Sequence, residues 1–263
     1  MPQHPLIEID NAQIYNGDTC VFDSLSLCIA QHENTAILGP NGAGKSTLLR
    51  VLSRDIYPVA RENSRVCILG KERWNVFELR NRLGIVSHEL QMRYEPTTLG
   101  IDVVLSGFFA SIGVHQHQHP TESQRSKAEA ALEKLGATRL RDVPLSSMSA
   151  GEQRRCLLAR ALVHAPETLI LDEPTTSLDL RATFELLALI GDLVRNGKTL
   201  ILVTHHVHEI PPAVTRVVLL KRGAVFADGP KSSVLSDDNL SRLFEVPIRV
   251  REAGGYFQAF PAN

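Results

Sequence analysis

The stretch Gly39-Pro40-Asn41-Gly42-Ala43-Gly44-Lys45-Ser46, followed by Thr47, constrains this 263-residue chain more than any other. It satisfies the full G-x-x-x-x-G-K-[ST] pattern, with an apolar burst at 35–38 before it and a helix-like segment at 45–53 after it. That strand-loop-helix context is the one the motif's mechanism requires. The glycines let the backbone curl so that successive N–H groups point at a β-phosphate, and the start of the helix adds its positive dipole end. Lys45 then reaches the β- and γ-phosphates, and the Ser46 hydroxyl takes a place on Mg2+. A chance glycine-rich turn is the competing account, and the two flanking elements weigh against it.

A second feature completes that chemistry. Leu169-Ile170-Leu171-Asp172-Glu173 is an apolar strand delivering two carboxylates at its C-terminal end, where ligands of open α/β sheets gather. Asp172 would hold Mg2+ through its water shell, and Glu173 would polarise the water that attacks the γ-phosphate. Without the phosphate loop, a solvated acidic turn would be the better reading. Together the two motifs define a phosphate-loop NTPase and leave its family open.

The rest of the chain fits an α/β fold of that kind. Residues 6–29 alternate apolar bursts with Asn11, Asn16, Gly17 and Asp18, which predicts two or three antiparallel strands forming an edge sheet. Short buried strands are expected at 66–69, 83–86, 168–171, 199–203 and 216–220. Between about 88 and 163 strand signals thin out and helical spacing takes over, notably at 122–135 and 151–163, so that stretch reads as an inserted helical subdomain. The core is then expected at 1–87 and 164–235. A tail at 236–263 offers a short helix at 238–244 and two strand-like pieces around Gly254-Gly255 that could pair as a hairpin.

Composition narrows the class. Lys and Arg number 28 against 29 Asp and Glu, for a net charge of −1, so no global basic field argues for nucleic acid as a partner. Cys20, Cys28, Cys67 and Cys156 are scattered without a C-x-x-C pair, which suggests neither a zinc site nor a disulfide framework. No apolar run approaches the roughly 20 residues of a membrane span, and the N-terminus has no signal-peptide pattern.

A third motif narrows the family. Ser149-Ala150-Gly151-Glu152-Gln153-Arg154-Arg155 opens a helix with a capping serine and a glutamate three positions on, which alone reads as a capping box. That account leaves Gly151 in the first turn unexplained. Met148 to Glu152 resembles the L-S-G-G-Q signature of the ATP-binding cassette family, with Met148, Ala150 and Glu152 as departures. Ser149 and Gly151 match the family residues that contact the γ-phosphate of ATP held by the opposite subunit.

The resemblance runs in the family's order through about residue 230 and implies further roles. Ser177-Leu178-Asp179 resembles the D-loop. His205, directly after the strand at 199–203 and Thr204, resembles the switch histidine, the alternative being one member of a polar loop with His206 and His208. Tyr15 resembles the aromatic that stacks on adenine, the alternative being a strand aromatic packing on a neighbour. The family's loop glutamine, which touches Mg2+, has two candidates: His88 stands at the usual register, and Gln91 fits if the loop is three residues longer. His115, His117 and His119 would be a metal site on one face of a strand, or a loop interrupted by Gln116, Gln118 and Pro120.

The resemblance implies an ATPase using ATP and Mg2+, with Lys45, Glu173 and His205 catalytic, dimerising with a second nucleotide-binding subunit, a second copy by preference. It implies a cytoplasmic position at the inner face of the cell membrane on a separate permease, in the branch of molybdate or iron-chelate importers. A soluble cassette ATPase acting on a macromolecule stays open, although no second cassette or long coiled coil is present. A small-molecule phosphotransferase would leave Ser149 to Gln153 and His205 unexplained.

Overall fold

Short apolar runs bounded by Gly, Asn and Asp become strands β1 (Ile7–Asn16), β2 (Thr19–Ile29), β3 (Thr35–Leu38), β4 (Arg65–Ile68), β5 (Leu83–Val86), β6 (Thr168–Asp172), β7 (Thr199–Thr204), β8 (Arg216–Lys221), β9 (Ala224–Pro230), β10 (Ile248–Ala253) and β11 (Tyr256–Pro261). The helices are α1 (Lys45–Leu52), α2 (Val76–Arg82), α3 (His88–Met92), α4 (Gly100–Leu105), α5 (Glu122–Lys134), α6 (Ala150–Leu162), α7 (Leu180–Arg195), α8 (Lys231–Val234) and α9 (Asp237–Phe244). This computed structural model describes residues 4–262. The chain divides into one unit of Met1–Val76 with Thr199–Asn263, and another of Phe77–Lys198. It is an α/β protein with a parallel-rich sheet and a separate antiparallel sheet.

In the first unit β1 pairs antiparallel with β2 on one side and β4 on the other, the expected edge sheet. Its alternation is that of a sheet with one face on a core: Ile7, Ile9, Ile14, Phe22 and Ile29 are buried while Asp10, Tyr15 and Asp23 face out. β3 lies parallel between β7 and β8, so that Ile37 has Val203 on one side and Val218 on the other. All four residues of β3 are buried, which is why it reads as a continuous apolar run without alternation. β9 returns antiparallel on β8. The tail folds back as α9 and the β10–β11 hairpin, whose register pairs Ala253 with Tyr256 across Gly254-Gly255.

In the second unit β5 and β6 run parallel, pairing Val86 with Leu171. The helix-rich stretch at 88–163 lies in this unit. There α4, α5 and α6 pack on one another, and α6 also lies against β5 and α7. Their contact is made by short residues and Leu: Val103, Val104, Ala128, Leu132, Leu157 and Ala159 are buried. Thr121 starts α5 with a capping box, its hydroxyl accepting from Gln124 N–H at 3.2 Å while Thr121 N–H donates to the Gln124 side chain at 2.9 Å. Residues 115–119 form a turn, closed by Gln118 N–H donating to His115 O at 2.8 Å, so the three histidines do not line a strand face. Among the described residues no group of three metal-ligating side chains forms.

Ile37→Ala should remove a fully buried side chain that β7 and β8 enclose, and should destabilise the protein by about 2–5 kcal/mol. The check is a urea unfolding curve, with a lower midpoint and an unchanged slope expected.

Candidate functional site

The first unit carries the phosphate loop at the C-terminal end of β3. Gly39 N–H donates to Thr204 O at 3.4 Å and Gly223 N–H donates to Ala43 O at 3.2 Å, so the loop is fastened to β7 and to the β8–β9 turn. Gly44 sits at the N-cap of α1 with φ 105°. A side chain there would both adopt a disfavoured backbone and lie 2.6 Å from the Phe22 ring. The Lys45 ammonium folds back into the loop, donating to Gly39 O at 2.8 Å and Pro40 O at 3.1 Å, and the residue is only 6% exposed. A buried cation held by two carbonyls inside a curl of amides prepares a positive cup for an anion. Ser46 stands exposed in the first turn of α1, and Thr47 is buried beneath it.

His205 follows directly on Thr204, the residue that receives the Gly39 N–H, so the strand pairing brings His205 to the start of the phosphate loop. Its ring lies 3.8 Å from that of His206, centroid to centroid. The loop beyond is fixed from within: the Thr204 hydroxyl donates to the buried Glu209 carboxylate and accepts from His206 N–H at 2.9 Å. Tyr15, one residue before the end of β1, is 40% exposed, and its neighbour Asn16 accepts from Arg50 of α1 at 2.6 Å.

The second unit carries the other candidates. Asp172 ends β6, and Glu173 follows at φ 45°, a left-handed conformation that costs a non-glycine residue energy and marks a turn held by its surroundings. The Thr176 hydroxyl donates to the Glu173 carboxylate at 3.4 Å. Asp179 caps α7, accepting from Ala182 N–H at 2.7 Å. Ser149 caps α6 in a full capping box with Glu152: Glu152 N–H donates to Ser149 Oγ at 3.3 Å, and the carboxylate accepts Ser149 N–H at 2.8 Å and the hydroxyl at 2.9 Å. Gly151 now has a reason that sequence alone did not supply. A Cβ there would lie 3.2 Å from Ala182 Cβ, a tight contact, so the glycine eases the close approach of the start of α6 to the start of α7.

Of the two loop candidates, His88 is exposed at the first residue of α3, whereas Gln91 is half-buried and donates to the Gln153 side chain at 2.6 Å. Gln153 in turn donates to Leu145 O at 2.8 Å and Met148 O at 3.2 Å, so Gln91 is joined through one side chain to the backbone at Leu145 and Met148. Gln91 Oε1 is buried without a hydrogen-bond partner among the described residues. An oxygen in that state suits a hard cation or a water on it, as do the Ser46 hydroxyl and the Asp172 carboxylate. The Gln91–Gln153 link spans 62 residues, and no local spacing signals it.

Residues 22–176 match the family model described as ABC transporter. The chain belongs to that family, as an ATP-binding subunit and an ATPase. It is 36% identical over 250 residues to the uncharacterized ABC transporter ATP-binding protein YlmA of Bacillus subtilis (strain 168), covering 93% of each chain. It is 34% identical to the hemin import ATP-binding protein HmuV of Rhodopseudomonas palustris (strain BisA53), covering 94% of this chain and 90% of that one. Among solved structures it resembles an ATP-binding cassette seen as a dimer in a post-hydrolysis state bound to ADP and Pi, with TM-score 0.70, 25% identity, and coverage of 85% of this chain and 98% of that one.

The Glu152 carboxyl is held below its ordinary value of 4.5, first by the Ser149 backbone N–H and further by the Ser149 hydroxyl and Arg139. A depressed carboxyl contributes stability above the unfolded value and loses it as pH falls through the folded one. Glu152→Gln should therefore be less stable than wild type at neutral pH, with the gap closing below 4.5. Thermal melts across pH check this; a gap undiminished near pH ~3 would show that the charge is not what the box uses.

Proposed function

We propose that two copies of this chain bind ATP between them and, by hydrolysing it, drive a separate membrane permease that imports a metal-chelate cargo. The observation that carries the reading is the Lys45 ammonium seated among its own loop carbonyls, with His205 brought to the loop's start by the Gly39–Thr204 hydrogen bond. Lys45 and the amides of Gly39 to Thr47 hold the phosphates, and Tyr15 offers its exposed face to adenine. Ser46, Asp172 and Gln91 are the oxygen donors for Mg2+, which when bound neutralises charge on the phosphates. Glu173 orients and polarises the attacking water, and His205 holds the γ-phosphate in line.

The dimer follows from the chemistry of α6. Ser149 and Gly151 present a helix N-terminus, an anion-binding element of the same kind as the phosphate loop. One ATP held between the loop of one copy and the signature of another would join two chains, as the dimeric ADP-bound cassette supports. The import direction and the metal-chelate cargo rest on the hemin import relative. Among the described residues no helix is long and apolar enough to cross a membrane. The placement on a separate permease at the cytoplasmic face rests on the relatives named as import ATP-binding proteins.

Glu173→Gln should bind ATP with Mg2+, run as a dimer on gel filtration, and lose turnover by about 100-fold or more. A monomeric elution with near-normal turnover would remove Glu173 from its role and the sandwich with it. Lys45→Ala should weaken ATP binding by roughly tenfold or more in a titration, since a charge-assisted contact to phosphate is lost. Unchanged affinity would count against the loop assignment.

A further inference from the structure

The C-terminal hairpin takes no part in the roles above, yet it is built onto the loop that follows His205. β11 packs against the single helical turn Val207–Glu209. The Gly255 backbone lies so close to Pro212 that a Cβ there would stand 2.9 Å from the Pro212 Cβ. Between them lies Lys231, only 8% exposed, whose ammonium donates to Pro211 O at 3.1 Å and to Gly255 O at 2.9 Å. Its backbone N–H donates to Thr215 O at 2.8 Å, and the buried Phe257 ring lies 5.6 Å from the ammonium. One buried cation therefore joins the His205 loop to the tail hairpin, while the backbone of the same residue is held to the segment just before β8.

We propose that the hairpin is a positioning element for His205, with Lys231 as its fastening. The loop from 205 to 212 is held at both ends: the Thr204–Glu209 bond fixes its start, and the Lys231 ammonium fixes Pro211. Between these anchors His205 is left with little backbone freedom. A buried ammonium is costly to desolvate and is kept only where carbonyls satisfy it, so a lysine here signals a demand for geometry that an apolar residue could not meet. The inference rests on the proposed role of His205, because a histidine that did no work would need no such support.

The test uses the full chain with the histidines labelled with nitrogen-15, the His205 resonances being assigned by their loss in His205→Gln. Lys231→Met keeps the aliphatic stem and removes both donors. It should shift the His205 ring resonances and lower kcat by about tenfold, with KM for ATP within about twofold, because a displaced group rather than lost binding is at fault. Phe257→Leu, which loosens the same packing more gently, should move the same resonances to a smaller extent and serves if Lys231→Met does not fold. Leu132→Ala in α5, a core substitution in the other unit, is the control for lost stability and should leave the His205 resonances in place. Wild-type resonances and kcat in both Lys231→Met and Phe257→Leu would overturn the proposal. Near-normal turnover in His205→Gln would instead sink the proposed role of His205, while the resonances in Lys231→Met would still show whether the hairpin sets the loop.

Discussion

The Lys45 ammonium, drawn into its own loop by the carbonyls of Gly39 and Pro40, is the interaction on which the first unit depends. A buried cation tolerates this place only because the backbone curls around it, and the curl is possible only with Gly44 in the left-handed region at the mouth of α1. The loop must also begin at a fixed point. That point is the end of β3, held between β7 and β8, where Gly39 N–H reaches Thr204 O. The parallel sheet is thus more than a core: its register decides that the residue after Thr204, His205, arrives where the loop starts. The apolar strands supply the stability, and the strand ends inherit the chemistry.

How much of this was legible in the sequence depends on the range of the interaction. The phosphate loop, the acidic end of β6 and the caps of α5 and α6 are written in consecutive residues, because each is satisfied by backbone within a few positions. The edge sheet was legible for the same reason, since β1 and β2 alternate and turn at Gly17-Asp18. α7 carried an equivalent signal that the strand-centred reading passed over: Asp179 as cap, then Thr183, Leu186, Leu187 and Ile190 on one buried face. β9 was harder, because Ala224–Pro230 includes Asp228 and Gly229 and buries no residue fully, so neither alternation nor an apolar run marks it.

What the sequence hid is side-chain partnership over distance. Gln91 or His88 was undecidable from spacing, and the structure separates them by what they touch: His88 faces outward while Gln91 reaches Gln153. A second polar link in the same unit has the same character. Tyr94 and Arg160 both meet the Ser106 hydroxyl, at 2.8 and 3.1 Å, so the segment after Gln91 is joined to α6 a second time. Burial pushes the Tyr94 phenol up, which keeps it a neutral donor within this network. Two polar joints thus tie the Gln91–Tyr94 segment to α6, one of them running on through Gln153 to the backbone at Leu145 and Met148.

Glu152 shows how one local device constrains the chemistry built on it. The capping box stabilises the start of α6 by satisfying Ser149 N–H and Glu152 N–H, but it also engages the Ser149 hydroxyl as a donor to the carboxylate at 2.9 Å. A phosphate approaching that helix end would compete for the same proton and would meet a negative charge. The cost is partly offset by Arg139, which pairs with the other carboxylate oxygen, although its exposure leaves that pair screened by water. The first-turn N–H groups of Ala150 and Gly151 have no intrahelical acceptor, so they rather than the serine are the donors free to meet an anion. A phosphate arriving at this helix end would therefore meet backbone N–H groups and the helix dipole first, and would take the serine hydroxyl only at the expense of the cap.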